Sequence, residues 1–157
     1  MHDSDGHNVN AIYGFFRMLF RLWEQKPDHF VIARDAPSRT FRKEINEDYK
    51  ANRITMPDNF KWQMTMIKEL VNQLQIQAEE IPGFEADDII YTLVQHAKLH
   101  EHSTVFKIVS SDKDLKQMLT DNVVMYDAMK NLVTDPQSFY TEFGFAPVQI
   151  VDYLALV

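Results

Sequence analysis

"TVFKIVSSDKDLKQML", Thr104–Leu119, puts a Val/Ile-rich run in front of two acids and a short helical stretch. Length and composition make "TVFKIVSS" a buried strand, with a short helix expected around Lys113 to Leu119. Asp112 and Asp114 then fall at the carboxyl end of the strand. The flanks repeat the alternation. Ala86 to Leu99 is apolar at Ile89, Ile90, Leu93, Val94 and Ala97, which is helical spacing, and "VVMYD" (123–127) reads as another strand. Pro136 and Pro147 each open a helix, the second running to the C-terminus.

The N-terminal half continues the pattern. Asn10 to Glu24 carries Ile12, Phe15, Phe16, Leu19, Leu22 and Trp23 at helical spacing. "KPDH" breaks that helix, and "FVIA" (30–33) reads as a short buried strand. Ala36 to Asn52 has no clean period, so a loop or loosely helical excursion is expected. Pro57 and Asp58 open a helix with Phe60, Met64, Ile67, Val71 and Leu74 on one stripe. "IQAEEIPGF" (76–84) is a short extended piece and a turn. Helices alternating with short strands define an α/β domain with a mostly parallel central sheet, whose ligands gather at the carboxyl ends of the strands.

Composition narrows the function. At 157 residues and 45% apolar, the chain can bury a real core as one domain. It has no cysteine, which excludes disulfides and thiolate metal sites and is compatible with the cytoplasm. No apolar run reaches the roughly 18 residues of a membrane span, and the polar start "MHDSDGHN" is no signal peptide. The net charge of −7 argues against coating nucleic acid by bulk electrostatics. The distribution qualifies that. From Arg34 to Arg53, six bases face four acids, so the window is positive inside an acidic chain.

Six acids fall where this topology gathers ligands. Asp35 follows "FVIAR", Glu85, Asp87 and Asp88 stand where a turn enters a helix, and Asp112 and Asp114 follow "FKIVSS". Glu85 and Asp88, three apart, are expected on one helical face. Crowded carboxylates repel unless a cation separates them. Oxygen-only ligation suits Mg²⁺ or Mn²⁺, and the scattered histidines disfavour zinc. Two such ions would activate a water and steady the leaving oxygen of a phosphodiester. For any single acid a plainer reading stands beside this one: acids at helix starts cap N–H groups and favour the dipole. Ser111 with Asp114 is a candidate capping pair.

A resemblance adds to this reading. "NAIYGF" (10–15), "DAPSRTFRKE" (35–44), "YKANR" (49–53), "MIKEL" (66–70), "IPGFEADDII" (81–90), "SSDKDL" (110–115) and "QIVDYLALV" (149–157) occur in the order seen in bacterial 5′–3′ exonucleases. The chain resembles the 5′ nuclease domain of DNA polymerase I, in the flap endonuclease group with a PIN-like fold. That resemblance implies a two-metal site using Asp35, Glu85, Asp87, Asp88, Asp112 and Asp114. It implies phosphate contacts from Arg42, Lys50 and Arg53, and DNA with 5′ ends or flaps as substrate.

The departures set further expectations. The family begins with a strand ending in a metal-binding Asp followed by Gly. Here Asp5-Gly6 follows no apolar strand, so the ligand is not carried onto Asp5. Arg34 stands where an apolar residue is usual. The chain reads as a fragment lacking the first strand, the last acids and a C-terminal helix–hairpin–helix. Exposed strand edges should then favour self-association, and nuclease activity is expected to be weak or absent. The competing class is a non-catalytic DNA-binding or interaction module that keeps the nuclease fold.

Overall fold

The computed structural model of the protein describes residues 1–51, 56–100 and 103–157. These form two compact units, Met1–Ala86 and Asp87–Val157.

In the first unit, helix α1 (Asn10–Trp23) packs against helix α3 (Asp58–Gln73). The buried residues are Leu19 and Leu22 on one side and Gln63, Ile67 and Val71 on the other. Burying each of the four apolar side chains contributes about 1.5–3 kcal/mol. Gln63 is there for a hydrogen-bonding reason. Val9 supplies no side-chain cap to α1, and the Ala11 N–H instead donates to Gln63 Oε1 at 2.8 Å. The apolar stripe expected on α3 is therefore only partly inside. Its buried row is 63, 67 and 71, while Phe60, Met64 and Leu74 are exposed.

Strand β1 (Ile32–Ala33) pairs in parallel with β2 (Ala78–Glu79). The Ile32 N–H donates to Gln77 O (3.0 Å) and the Arg34 N–H to Glu79 O (2.9 Å). The expected buried strand "FVIA" is thus two residues long and half-buried, because β1 has one partner strand among the described residues. Arg34 is half-buried and shares Glu80 with Lys68. The aperiodic stretch after Ala36 contains one short helix, α2 (Phe41–Ile45).

The second unit starts within helix α4 (Ala86–His100). Strand β3 (Phe106–Val109) pairs in parallel with β4 (Val123–Asp127), which pairs antiparallel with β5 (Leu132–Thr134). The α/β class and the parallel pairings agree with the sequence, but the strands fall into two sheets instead of one central sheet. Strand β5 was not expected. A reversal through Ala128–Asn131 makes it, with Asp127 Oδ1 accepting the Met129 and Lys130 N–H groups and Asn131 at φ 53°. A 3₁₀ turn (Asp114–Met118), helix α5 (Pro136–Phe143), a second 3₁₀ turn (Pro147–Gln149) and helix α6 (Ile150–Leu156) complete the unit.

The core of this unit joins Ile108, Val123 and Met125 of the sheet to Leu115, Met118, Phe139 and Ile150. Phe139 is fully buried, stacked on Phe143 at 4.6 Å and edge-on to Phe145. Asp135 fixes the start of α5. Its Oδ1 accepts the Ser138 N–H at 2.7 Å, and the Ser138 hydroxyl oxygen accepts the Asp135 N–H at 2.9 Å.

Two stability predictions follow from this unit. Phe139→Ala should cost about 3–5 kcal/mol in denaturant unfolding, the range for deleting a buried aromatic ring. The second concerns pH. The Ser138 backbone N–H, then its hydroxyl, hold the Asp135 carboxyl below its ordinary 3.8. A depressed folded-state value means the cap's contribution is complete above 3.8 and is lost as pH falls through the folded value. Asp135→Ala should therefore lower Tm at pH 7, with the gap to wild type closing well below pH 3.8. A constant gap would show that the carboxylate charge is not what stabilises the turn.

Candidate active site

Among the described residues, Glu85 is the one acid buried in the first unit, at 8% exposure. A buried carboxylate must be paired or it costs heavily. Its Oε1 accepts from Lys50 Nζ at 2.8 Å, and its Oε2 accepts from the Tyr49 hydroxyl at 3.1 Å. Arg42 Nη1 lies 3.4 Å from Oε2. Burial pulls the Lys50 pKa down, but hydrogen bonds to Glu85 and Tyr49 outweigh it, and the ammonium ends above its ordinary 10.5. Lys50 has a left-handed backbone, φ 58°, uncommon for a residue with a side chain. Its ammonium lies 5.0 Å from the centre of the Tyr49 ring. Two of the three bases expected on phosphate are thus ion-paired to an expected metal ligand. The third, Arg53, lies outside the described residues.

The segment that carries these bases is stitched to the turn before α4. The Gly83 N–H donates to Ser38 Oγ (2.9 Å), the Phe41 N–H donates to Gly83 O (3.1 Å), and the rings of Phe41 and Phe84 are 5.9 Å apart. Asp35 takes part in this join. Its Oδ1 accepts the N–H of Ala86, the first residue of α4, at 2.7 Å. The capping reading therefore holds for Asp35, with the cap supplied from 51 positions away in the chain. Because α4 begins at Ala86, Glu85 precedes the helix and does not share a helical face with Asp88 as expected.

In the second unit, Asp87, Asp112 and Asp114 line one open cavity of about 600 Å³ with Ser110, Ser111, Lys113 and Leu154. Backbone bonds shape its rim. The Ser110 N–H donates to Tyr126 O, extending the β3–β4 ladder by one residue. The Asp112 N–H donates to Ser110 Oγ and the Asp114 N–H to Asp112 Oδ1, each at 3.0 Å. These bonds replace the expected Ser111–Asp114 capping pair. Asp88 stands beside Asp87 in the first turn of α4 and is half-buried. Three carboxylates and two hydroxyls form an oxygen-only donor set, which suits a hard divalent cation.

Sequence reasoning missed Tyr49, although it stands next to Lys50 in "YKANR", and it missed the serines as cavity lining. Among the described residues, the one group of three or more acids and histidines with ligand atoms close enough for a single cation lies outside this cavity. Asp3, Asp5 and His7 present ligand atoms within 4.8 Å of one another in an exposed turn.

The sequence matches the family described as "5′-3′ exonuclease, N-terminal resolvase-like domain" over residues 1–144. A 5′-3′ exonuclease of Aquifex aeolicus is 42% identical over 155 residues, covering 98% of this chain and 53% of that protein. A thermostable DNA polymerase I of Thermus thermophilus is 38% identical over 98% of this chain and 18% of its own length. The chain therefore spans about half of the exonuclease and under a fifth of the polymerase. The fold is shared with T5 5′-exonuclease carrying divalent metal ions (zinc), at a TM-score of 0.71 and 17% identity over 92% of this chain and 56% of that one. A T5 flap endonuclease in complex with DNA and metal ions gives the same score and coverage. The chain belongs to the 5′-3′ exonuclease family.

Asp35 offers a test of local geometry. Asp35→Ala removes the acceptor for the Ala86 N–H, so hydrogen exchange at Ala86 should accelerate. Asp35→Asn keeps an acceptor oxygen and should exchange nearly as wild type. Equal acceleration in both variants would show that charge, not the hydrogen bond, holds the start of α4.

Proposed function

We propose that the chain carries phosphodiester-cleaving machinery of a 5′–3′ exonuclease and flap endonuclease, acting on DNA with 5′ ends or flaps and dependent on Mg²⁺ or Mn²⁺. The observation that carries this reading is the open cavity lined by Asp87, Asp112 and Asp114 together with Ser110 and Ser111. Support comes from the names of the relatives and from the metal ions and DNA bound by the T5 enzymes of the same fold. We assign Asp35, Glu85, Asp87, Asp88, Asp112 and Asp114 as carboxylate ligands for divalent cations, and Arg42, Lys50 and Arg53 as contacts to the phosphate backbone.

Each group has a physical task under this reading. When bound, the cations lower the pKa of an attacking water and offset charge on the leaving oxygen. The acids hold them, with the serine hydroxyls as further oxygen donors. The Ser110 and Asp112 bonds fix the loop, so little order has to be gained on binding. The bases position the strand without reading its sequence. They also draw a polyanion to a chain whose net charge would repel it. No helix among the described residues is long and apolar enough to cross a membrane, and we assign the protein to the cytoplasm, with DNA as its partner.

The test uses the whole chain in excess over a 5′-labelled flap substrate. With the weak activity expected of this chain, Mn²⁺ or Mg²⁺ should release short 5′ products only slowly, EDTA should abolish them, and Asp112→Asn/Asp114→Asn should fall to the EDTA level. Melting provides a readout that needs no turnover. A cation that binds only the folded state at 100 times its Kd adds about 2.7 kcal/mol, and the Mn²⁺-induced rise in Tm should shrink in the double variant. Cleavage in EDTA, or an identical Tm gain in both proteins, would contradict the proposal.

A further inference from the structure

We infer that His96 and His100 form a bidentate site for a transition-metal dication, Zn²⁺, Ni²⁺ or Cu²⁺, which staples the end of α4. The two histidines stand four positions apart in this helix, so they share one face. Both are exposed. Their ring centres are 4.8 Å apart, with the planes tilted by 50°. A ring nitrogen bound about 2.0–2.1 Å from zinc sets its ring centre roughly 3.2 Å from the ion, so two rings on neighbouring coordination positions stand about 5 Å apart. The observed spacing already meets that value. An i, i+4 pair of imidazoles on one helix face is also how helical zinc motifs supply two of their ligands. Closing the pair around an ion asks for side-chain rotation in a helix that is already formed.

The place in the helix suits a cation. The pair lies toward the carbonyl end of α4, where the helix dipole favours positive charge. Lys98 is turned away. It stands two positions from each ring, off their face, and its ammonium donates to Thr120 Oγ1 at 3.3 Å. Ligand chemistry separates this pair from the carboxylates of the cavity. Imidazole suits zinc, copper and nickel, whereas carboxylate and water suit magnesium and manganese. Affinity at a given site also rises from Mn²⁺ toward Ni²⁺ and Cu²⁺, so Mn²⁺ is the poorest first-row probe of the pair. Two histidines leave further coordination positions to water. An ion on both rings ties position 96 to position 100. Because it binds the helix and not the coil, it holds this end of α4 against fraying.

The probe is Zn²⁺ alone, added to the whole chain with isotope-labelled histidine and followed by NMR at each imidazole. The ring signals of His96 and His100 should move together along one shared curve, and Mg²⁺ should leave both in place. His100→Gln should make the His96 ring need about tenfold more Zn²⁺, because the second ligand no longer stands at high effective concentration. His96→Gln should do the same to His100. His29→Gln removes an exposed histidine of the first unit, and both curves should then stay within about twofold of wild type, as for independent sites. An unchanged His96 curve in His100→Gln would mean two separate ligands and would overturn the site. Shifts at His7 with neither α4 ring moving would overturn it too. Glutamine is a good helix former, so α4 should survive both substitutions. Should either variant fail to fold, the wild-type chain decides by itself. Zn²⁺ should slow hydrogen exchange severalfold at the amides of 97–100, and exchange there that ignores Zn²⁺ would leave the pair a mere ring contact and overturn the staple.

Discussion

Glu85 brings a carboxylate into a largely buried position, and the first unit is arranged to answer it. Lys50, Tyr49 and Arg42 reach it from the segment after β1, a stretch with no hydrophobic period to hold it. That segment gains its order from polar contacts. Ser38 and Phe41 bond to Gly83, and Asp35 bonds to Ala86, so the segment is fixed to the turn that ends in Glu85. Neutralising Glu85 alone would take a charged partner from two partly buried cations. Removing the cations would take both charged partners from a buried carboxylate, the more expensive loss. The geometry of the bases and the burial of the acid therefore depend on each other.

Under the proposed function the same acids serve structure and chemistry, so capping and cation binding are compatible readings of one residue. Asp35 caps a distant helix and Asp112 holds the amide of Asp114. An acid locked by backbone bonds has already lost most of its rotamer freedom. A site built from such acids gives up less entropy on binding a cation than one built from mobile side chains.

Much of this could be read from residue order. The strand "FKIV", the proline-opened helices and the helix after "FEADD" are set by period and by stop signals, and each forms close to where those signals place it. Asp112 and Asp114 were legible because a strand end delivers them directly. The stripe on α3 was read too widely, because period alone does not reveal that Gln63 must face inward to receive the Ala11 N–H. β5 was hidden because three residues after a polar reversal carry too little hydrophobic pattern. The pairing of Lys50 and Arg42 with Glu85 spans 35 positions or more and has no local signature. Tyr49 was missed for the same reason.

The central claim is that the acids after "FKIV" hold a divalent cation, and paramagnetic broadening tests it most directly. Substoichiometric Mn²⁺ added to the ¹⁵N-labelled chain should first erase the amide signals of Asp87 and of residues 110–114. Broadening centred on Asp3, Asp5 and His7, where two carboxylates and an imidazole lie within 4.8 Å of one another, with the signals of 110–114 intact, would contradict the account.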